Sequence, residues 1–265
     1  MPDNDHYVII GNGPAGNHAA IALRKKDKHA RITIISDECV PFYYKLRLID
    51  FIAHKTAKES LMVTSLESCK KQNIRIRLGQ RVARIHPDSK SIFLQHMEKI
   101  NYTKLIIASG GSARILPSMV SYADHLNFIT SYTDVMEYKK QIAEANKFFI
   151  FGGDLVGFKF LKMLANMGKN ITFMIDPDSF WPFHLTDDML DKILTNLSKL
   201  NVSIIIDDDI TSIESQENAF MVTTRKGIKK TIDMVFSFNG LIPNIEFAKG
   251  TGIDIDHGIL VNEYL

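Results

Sequence analysis

Three glycines, at positions 11, 13 and 16, separate a β-branched run from a helical pattern in the stretch VIIGNGPAGNHAAIALRKK. Residues 7–10 read as a short buried strand, and residues 14–26 carry apolar side chains at helical spacing. A second strand, residues 32–35 of ARITIISDE, follows and ends in acids. Each glycine of such a strand, turn, helix and strand has a physical use. Gly11 permits the tight turn, Gly13 lets the backbone approach a pyrophosphate, and Gly16 lets helix lie close to strand. With Pro14 and Ala15 the turn opens a helix N-terminus whose unpaired N–H groups face an anion. Asp37 or Glu38, about 20 residues further on, is placed to accept hydrogen bonds from a ribose hydroxyl and disfavours a 2′-phosphate. Glycine required only by its dihedral angles would give the same letters, but strand, helix and acid together favour a dinucleotide turn.

The order returns mid-chain in KFFIFGGDLVGFKFLKMLANMGKNITFMID, with strands expected at 148–151 and 171–175 and a helix at 155–167. Two dinucleotide-type units are therefore expected, each a parallel sheet joined by right-handed helical crossovers. The second turn reads Gly152, Gly153, Asp154, Leu155, Val156, Gly157, so an aspartate replaces the middle glycine. A carboxylate about 4 Å from a phosphate charge costs roughly 4 kcal/mol at an effective dielectric of 20, about three decades of affinity. Rotation of Asp154, or pairing with Lys159, would reduce that penalty. The next strand ends at Ile175 with Asp176 and Asp178 beyond, so ribose recognition there stays open, and no basic cluster favours a 2′-phosphate.

Segments of alternating polarity follow each unit. Residues 74–95 and the stretch ITSIESQENAFMVTTRKGIKKTIDMVFSF read as antiparallel meanders inserted into the two units. Residues 190–200 read as an amphipathic helix before the strand VSIIID. The expected architecture is α/β: two Rossmann-like domains, each a parallel sheet with helices and an inserted meander. Residues 1–114 form the first, 115–236 the second, and 237–265 return to the first.

With 32 basic against 30 acidic residues and a net charge of +2, nothing favours nucleic acid or an acidic membrane surface. Cys39 and Cys69 form no CxxC or metal spacing and suit a reducing cytoplasm. The polar start MPDNDHY lacks the pattern of a secretory signal, no apolar run reaches membrane-spanning length, and the nine histidines show no metal-binding spacing. His18 reads as a solvent-facing helix residue, and KKDKH as a solvated helix end. FWPFHL would either cover a nicotinamide or pack on its own domain, while Phe42, Tyr43 and Tyr44 would either stack near a ligand or fill core.

Taken in order, YVIIGNGPAGNHAA, ITIISDECVPFYYKLRL, KLIIASGG, FIFGGDLVG, MVFSFNGLIPN and GILVNEYL resemble the FAD-dependent pyridine nucleotide-disulfide oxidoreductases. Within that superfamily the likeness is to NADH-dependent ferredoxin and rubredoxin reductases and the flavoprotein part of NADH nitrite reductase. The resemblance implies FAD at Gly11, Gly13, Pro14, Ala15, Gly16, Asp37, Glu38 and Val82. Ala108, Ser109, Gly110 and Gly111 match the family segment that passes the flavin, and Lys45 retains a basic group beside it. NAD(P)H would lie at Gly152, Gly153, Asp154 and Gly157. Electrons would pass from nicotinamide through flavin to an acceptor protein. The alternative is a nucleotide-binding subunit without turnover that depends on a partner polypeptide, or a truncated fragment, with a degenerate nicotinamide site.

The resemblance also exposes departures. No redox cysteine follows Pro41, so thiol-disulfide chemistry is not expected. Lys159 stands where many members carry a glutamate near the nicotinamide. The sequence ends at Leu265, where the family continues into a GD segment that lines the flavin site, so weak flavin retention is expected of this chain in isolation.

Overall fold

The computed structural model describes residues 5–175, 186–200 and 202–265. It divides into two compact units.

The first unit comprises Met1–Arg47, Thr56–Ser112 and Ile242–Leu265. Its sheet has four parallel strands in the order Ile74–Arg77, Arg31–Ile35, His6–Ile10, Lys104–Ile107. Pairing runs from His6 opposite Arg31 to Ile10 opposite Ile35, so both central strands stop level with the glycine turn. Continuous apolar runs suit a parallel sheet because both of its faces are covered. On one face Ile9, Ile32 and Ile34 meet Ala20 of helix Pro14–Lys26 and Cys69. On the other, Val8, Ile10 and Ile35 meet Val82, Ile85, Ile92 and Leu94 of an antiparallel meander. The returning segment supplies Phe247 and Ala248 to this second core. Fully burying each Val, Ile, Leu or Phe contributes roughly 1.5–3 kcal/mol relative to exposure.

The second unit comprises Leu48–Lys55 and Ala113–Leu241. Five parallel strands run in the order Val202–Ile206, Asn170–Ile175, Lys147–Gly152, Met234–Phe238, Leu126–Asn127. Helix Leu155–Asn166 crosses over this sheet, and its Phe160 ring lies 4.6 Å from that of Phe236. Phe148, Phe149, Phe160, Phe173 and Phe236 are fully buried, making an unusually aromatic core. Strands Ile210–Ser215, Phe220–Thr224 and Lys229–Ile232 form its meander.

Two strands differ from the sequence expectation. Ile74–Arg77 is an edge strand of the parallel sheet, not part of the meander. An edge strand leaves one side open, so Ile74 and Ile76 alternate with Arg75 and Arg77 just as an antiparallel strand would. Met234–Phe238, grouped above with the second meander, pairs with Lys147–Gly152 in the middle of the second sheet and is buried throughout. The second unit therefore runs to Leu241 rather than 236, and starts at Ala113 rather than 115. It also recruits helix Leu48–Ile52 from within the first segment, whose Phe51 ring stacks on Tyr132 at 5.9 Å. The amphipathic helix occupies Asp187–Leu197, starting earlier than expected because Thr186 caps it.

Candidate functional site

Gly11 closes strand His6–Ile10 with a φ of +105°, and a β-carbon built on it would stand 2.0 Å from the Ala108 carbonyl oxygen. Gly16 meets the same limit, since its β-carbon would lie 2.0 Å from the Gly11 oxygen. Both glycines are fixed by the fold itself. Gly13 is different: a β-carbon there would meet nothing within 4 Å. It is the N-cap of helix Pro14–Lys26, and no side chain caps that helix end. Among the described residues the backbone N–H groups of Asn12 and Gly13 find no acceptor in the chain. The Asn12 side chain is buried with neither its oxygen nor its nitrogen bonded. Buried polar groups are seldom left so. The turn therefore offers donors, a positive helix end and empty space for an anion.

Beside the turn lies a cleft of about 390 Å³, lined by the ends of the first two strands, by residues 80–83 and by the returning segment. This volume lies within the usual range of ligand clefts, roughly 300–1,000 Å³. Asp37, exposed at the end of strand Arg31–Ile35, lines it together with Arg81 and Gln80, whose Oε1 is buried and unbonded. Asn244 ties the far wall together. Its Nδ2 donates to the Ser109 oxygen at 3.0 Å, and its Oδ1 accepts from Ser112 Oγ at 2.7 Å. Ser109 Oγ in turn donates to the Asn244 oxygen at 2.7 Å, and the Asn244 N–H donates to Gly110. A half-buried asparagine thus fixes the course of residues 109–112.

The turn of the second unit has the same backbone. Gly152 has a φ of +102°, and its β-carbon would stand 2.2 Å from the Phe238 oxygen. Asp154 occupies the N-cap of helix Leu155–Asn166 with φ −66° and ψ 166°, against −80° and −169° for Gly13. Its carboxylate accepts a 2.8 Å hydrogen bond from the Gly157 N–H. The N–H groups of Gly153 and Asp154 donate to the Phe238 oxygen, at 2.9 and 3.3 Å. Lys159 directs its ammonium to Asp50 at 2.8 Å. Asn239, just beyond the Phe238 carbonyl, is buried with its Oδ1 unbonded.

A family model described as pyridine nucleotide-disulphide oxidoreductase matches residues 5–265. The chain belongs to the pyridine nucleotide-disulphide oxidoreductase family. It is 26% identical over 273 residues to putidaredoxin reductase of Pseudomonas putida, covering 100% of this chain and 64% of that protein. It is 29% identical over 259 residues to the NADH-rubredoxin oxidoreductase of Clostridium acetobutylicum, covering 97% of this chain and 64% of the relative. The crystal structure of a covalent putidaredoxin reductase-putidaredoxin complex superposes with a TM-score of 0.89 at 24% identity, over 98% of this chain and 64% of that one. The likeness establishes the two Rossmann-like folds. The chain spans about 64% of the length of these relatives.

Of the family positions in the first unit, Gly11, Asp37, Val82 and Ser109 line the cleft directly. Gly13, Pro14, Ala15 and Gly16 form the turn and first helical residues, and Ala108 backs Gly11. Gly110 has a φ of +65° and lies within the segment that Asn244 holds. Glu38 turns elsewhere, accepting from the Tyr43 hydroxyl and forming a 3.1 Å ion pair with Lys45. This leaves Asp37 as the acid on the cleft. Phe42 and Tyr43 are buried and Tyr44 is exposed, so core packing accounts for the first two. His18 is exposed on its helix. Gln80, Arg81 and Asn244 were not singled out from the sequence. Asn244 ends the quoted family segment MVFSFNGLIPN, which was the available signal, whereas a glutamine and an arginine beside a turn glycine carry none. Asp176, Asp178 and FWPFHL lie outside the described residues. No cluster able to hold a metal ion occurs among the described residues, and no helix of theirs is long and apolar enough to cross a membrane.

Proposed function

We propose that this chain is the nucleotide-binding part of an FAD-dependent NAD(P)H oxidoreductase that takes electrons from a reduced nicotinamide and delivers them to a small electron-carrier protein. The observation that carries the reading is the first turn, where an uncapped helix end, unbonded N–H groups and the orphaned Asn12 side chain converge beside the cleft. These residues fit the adenosine diphosphate half of FAD. Asn12, Gly13 and Gly16 would hold the pyrophosphate, Asp37 would accept from a ribose hydroxyl, and Val82 would give the cleft an apolar wall. Bound FAD supplies the chemistry that accepts a hydride and passes electrons on. The protein contributes position and charge. Asn244 holds residues 109–112 in one course along the cleft, and Lys45, ion-paired with Glu38, carries a cation on the segment that follows the acid.

Relatives named putidaredoxin reductase and NADH-rubredoxin oxidoreductase support an acceptor of the small redox-protein class. Free thiols at Cys39 and Cys69 support a cytoplasmic location. A second reading, a nucleotide-binding subunit without turnover, is favoured by the carboxylate that caps the second turn. Anaerobic mixing of the FAD-loaded chain with NADH separates the two. Bleaching of the flavin band, followed by its return on adding an oxidised rubredoxin or ferredoxin, is expected of the oxidoreductase. A flavin that binds but is not reduced would leave the subunit reading.

A further inference from the structure

The two glycine turns are the same device in opposite states. Their first glycines have φ values of +105° and +102° and are pressed against the carbonyls of Ala108 and Phe238 respectively. Their N-cap residues share extended backbone angles. In the first turn the N–H groups of Asn12 and Gly13 have no acceptor among the described residues, and the space beside Gly13 is empty. In the second turn the matching N–H groups of Gly153 and Asp154 are taken by the Phe238 oxygen. The third matching donor, the Gly157 N–H, is taken by the Asp154 carboxylate at 2.8 Å. The donors that would cradle a pyrophosphate are thus satisfied from within the protein, and a negative charge already sits on the positive end of the helix.

We infer that Asp154 is a built-in anion that occupies the pyrophosphate seat of the second unit and sets the nucleotide preference of this chain, holding pyridine dinucleotides to weak binding there while FAD takes the first turn. This rests on the reading of the second unit as a dinucleotide fold. A dinucleotide seated there must displace the carboxylate from Gly157 or accept a phosphate beside it. Displacement forfeits a helix cap. Coexistence sets like charges within a few ångströms. Asp154 is half-buried, which moderates the repulsion without removing it. Lys159, one turn further along the same helix, forms its 2.8 Å ion pair with Asp50. The unbonded Oδ1 of buried Asn239, next to the turn, marks a polar site not filled by the protein's own groups.

Two substitutions separate charge from cap. Asp154→Asn keeps a good N-cap and removes the charge, whereas Asp154→Gly removes both and restores the composition of the first turn. Oxidised NAD, which binds without reducing the flavin, is titrated calorimetrically into FAD-saturated wild-type and variant proteins. Asp154→Gly is expected to bind NAD between about tenfold and about a thousandfold more tightly than wild type. Asp154→Asn is expected to fall between the two, with its thermal midpoint unchanged. Equal affinities in all three proteins, including no binding in any, would overturn the inference, as would tightest binding by wild type. Should Asp154→Gly fail to fold, the comparison of Asp154→Asn with wild type decides by the same criterion. The functional reading fails differently. A chain that never takes up FAD refutes that reading, and the Asp154 series is then titrated in a Gly13→Asp background, where the first turn is closed.

Discussion

Gly11 and Ala108 are in contact so close that the glycine has no room for a side chain: its β-carbon would stand 2.0 Å from the Ala108 carbonyl oxygen. The contact joins the end of strand His6–Ile10 to the end of strand Lys104–Ile107, and the Ala108 N–H donates to the Ile10 oxygen at 2.8 Å. Backbone cannot retreat as a flexible side chain would. Gly11→Ala therefore has both a steric clash and a positive φ to overcome, and is expected to lose roughly 2–5 kcal/mol of stability. Urea unfolding followed by circular dichroism measures this. A loss below about 1 kcal/mol would mean that the turn relaxes at little cost.

Asn244 holds residues 109–112 through two side-chain bonds, to the Ser109 oxygen and from Ser112 Oγ. Asn244→Ala removes both while leaving the backbone bond from Asn244 to Gly110. A destabilisation of about 1–3 kcal/mol is expected. The more specific signature is local. Hydrogen exchange at residues 109–112 should speed up well beyond that of strand His6–Ile10, and FAD affinity should fall with it. Uniform acceleration across the first unit would mean that Asn244 acts on the whole fold rather than on this wall of the cleft.

Acid sensitivity has contributors away from the cleft, since Asp27, Glu98 and Asp208 are all held below the ordinary carboxyl range, Glu98 by the largest margin. Arg77, and next to it His96, hold the Glu98 carboxyl at about 2, below its ordinary value of 4.5. A carboxyl depressed in the folded state contributes stability above its unfolded value and loses it as pH falls toward its folded one. That contribution is accordingly present above about pH 4.5 and fades toward pH 2. Glu98 is solvent-exposed, so the effect is small. Glu98→Gln should lower the urea midpoint at pH 6, and its difference from wild type should narrow as pH falls below about 4.5 and close only below about pH 2. A constant difference across that range would assign the effect to packing instead.

Much of this fold was legible because glycine turns and apolar runs report local geometry. Helix Pro14–Lys26 lies where its periodicity puts it, and Gly11, Gly16 and Gly152 meet the backbone contacts that their motif implies. What failed was partnership. Ile74–Arg77 and Met234–Phe238 are strands in both readings, but nothing in their own residues states that their neighbours are parallel and distant in sequence. Helix Tyr132–Glu144 was missed although Ser131 and Asp134 form a reciprocal capping box at its start. At the site, the sequence exposed the conflict at Asp154 but not its resolution. That the carboxylate turns onto the Gly157 N–H depends on the turn's backbone, and that Glu38 faces Lys45 and Tyr43 while Asp37 faces the cleft depends on the loop's path.

The central claim is that the first turn binds FAD because its helix end is open, and Gly13→Asp tests it most directly. The substitution copies the second turn into the first at a position where a β-carbon meets nothing within 4 Å, so the fold should be kept and the helix capped. FAD is titrated into wild-type and variant chains side by side, with quenching of flavin fluorescence as the signal and thermal midpoints as the control for folding. Saturable binding by wild type, weakened at least about tenfold in Gly13→Asp at an unchanged or slightly raised midpoint, is the expected result. Equal FAD binding by two equally folded proteins would contradict the claim.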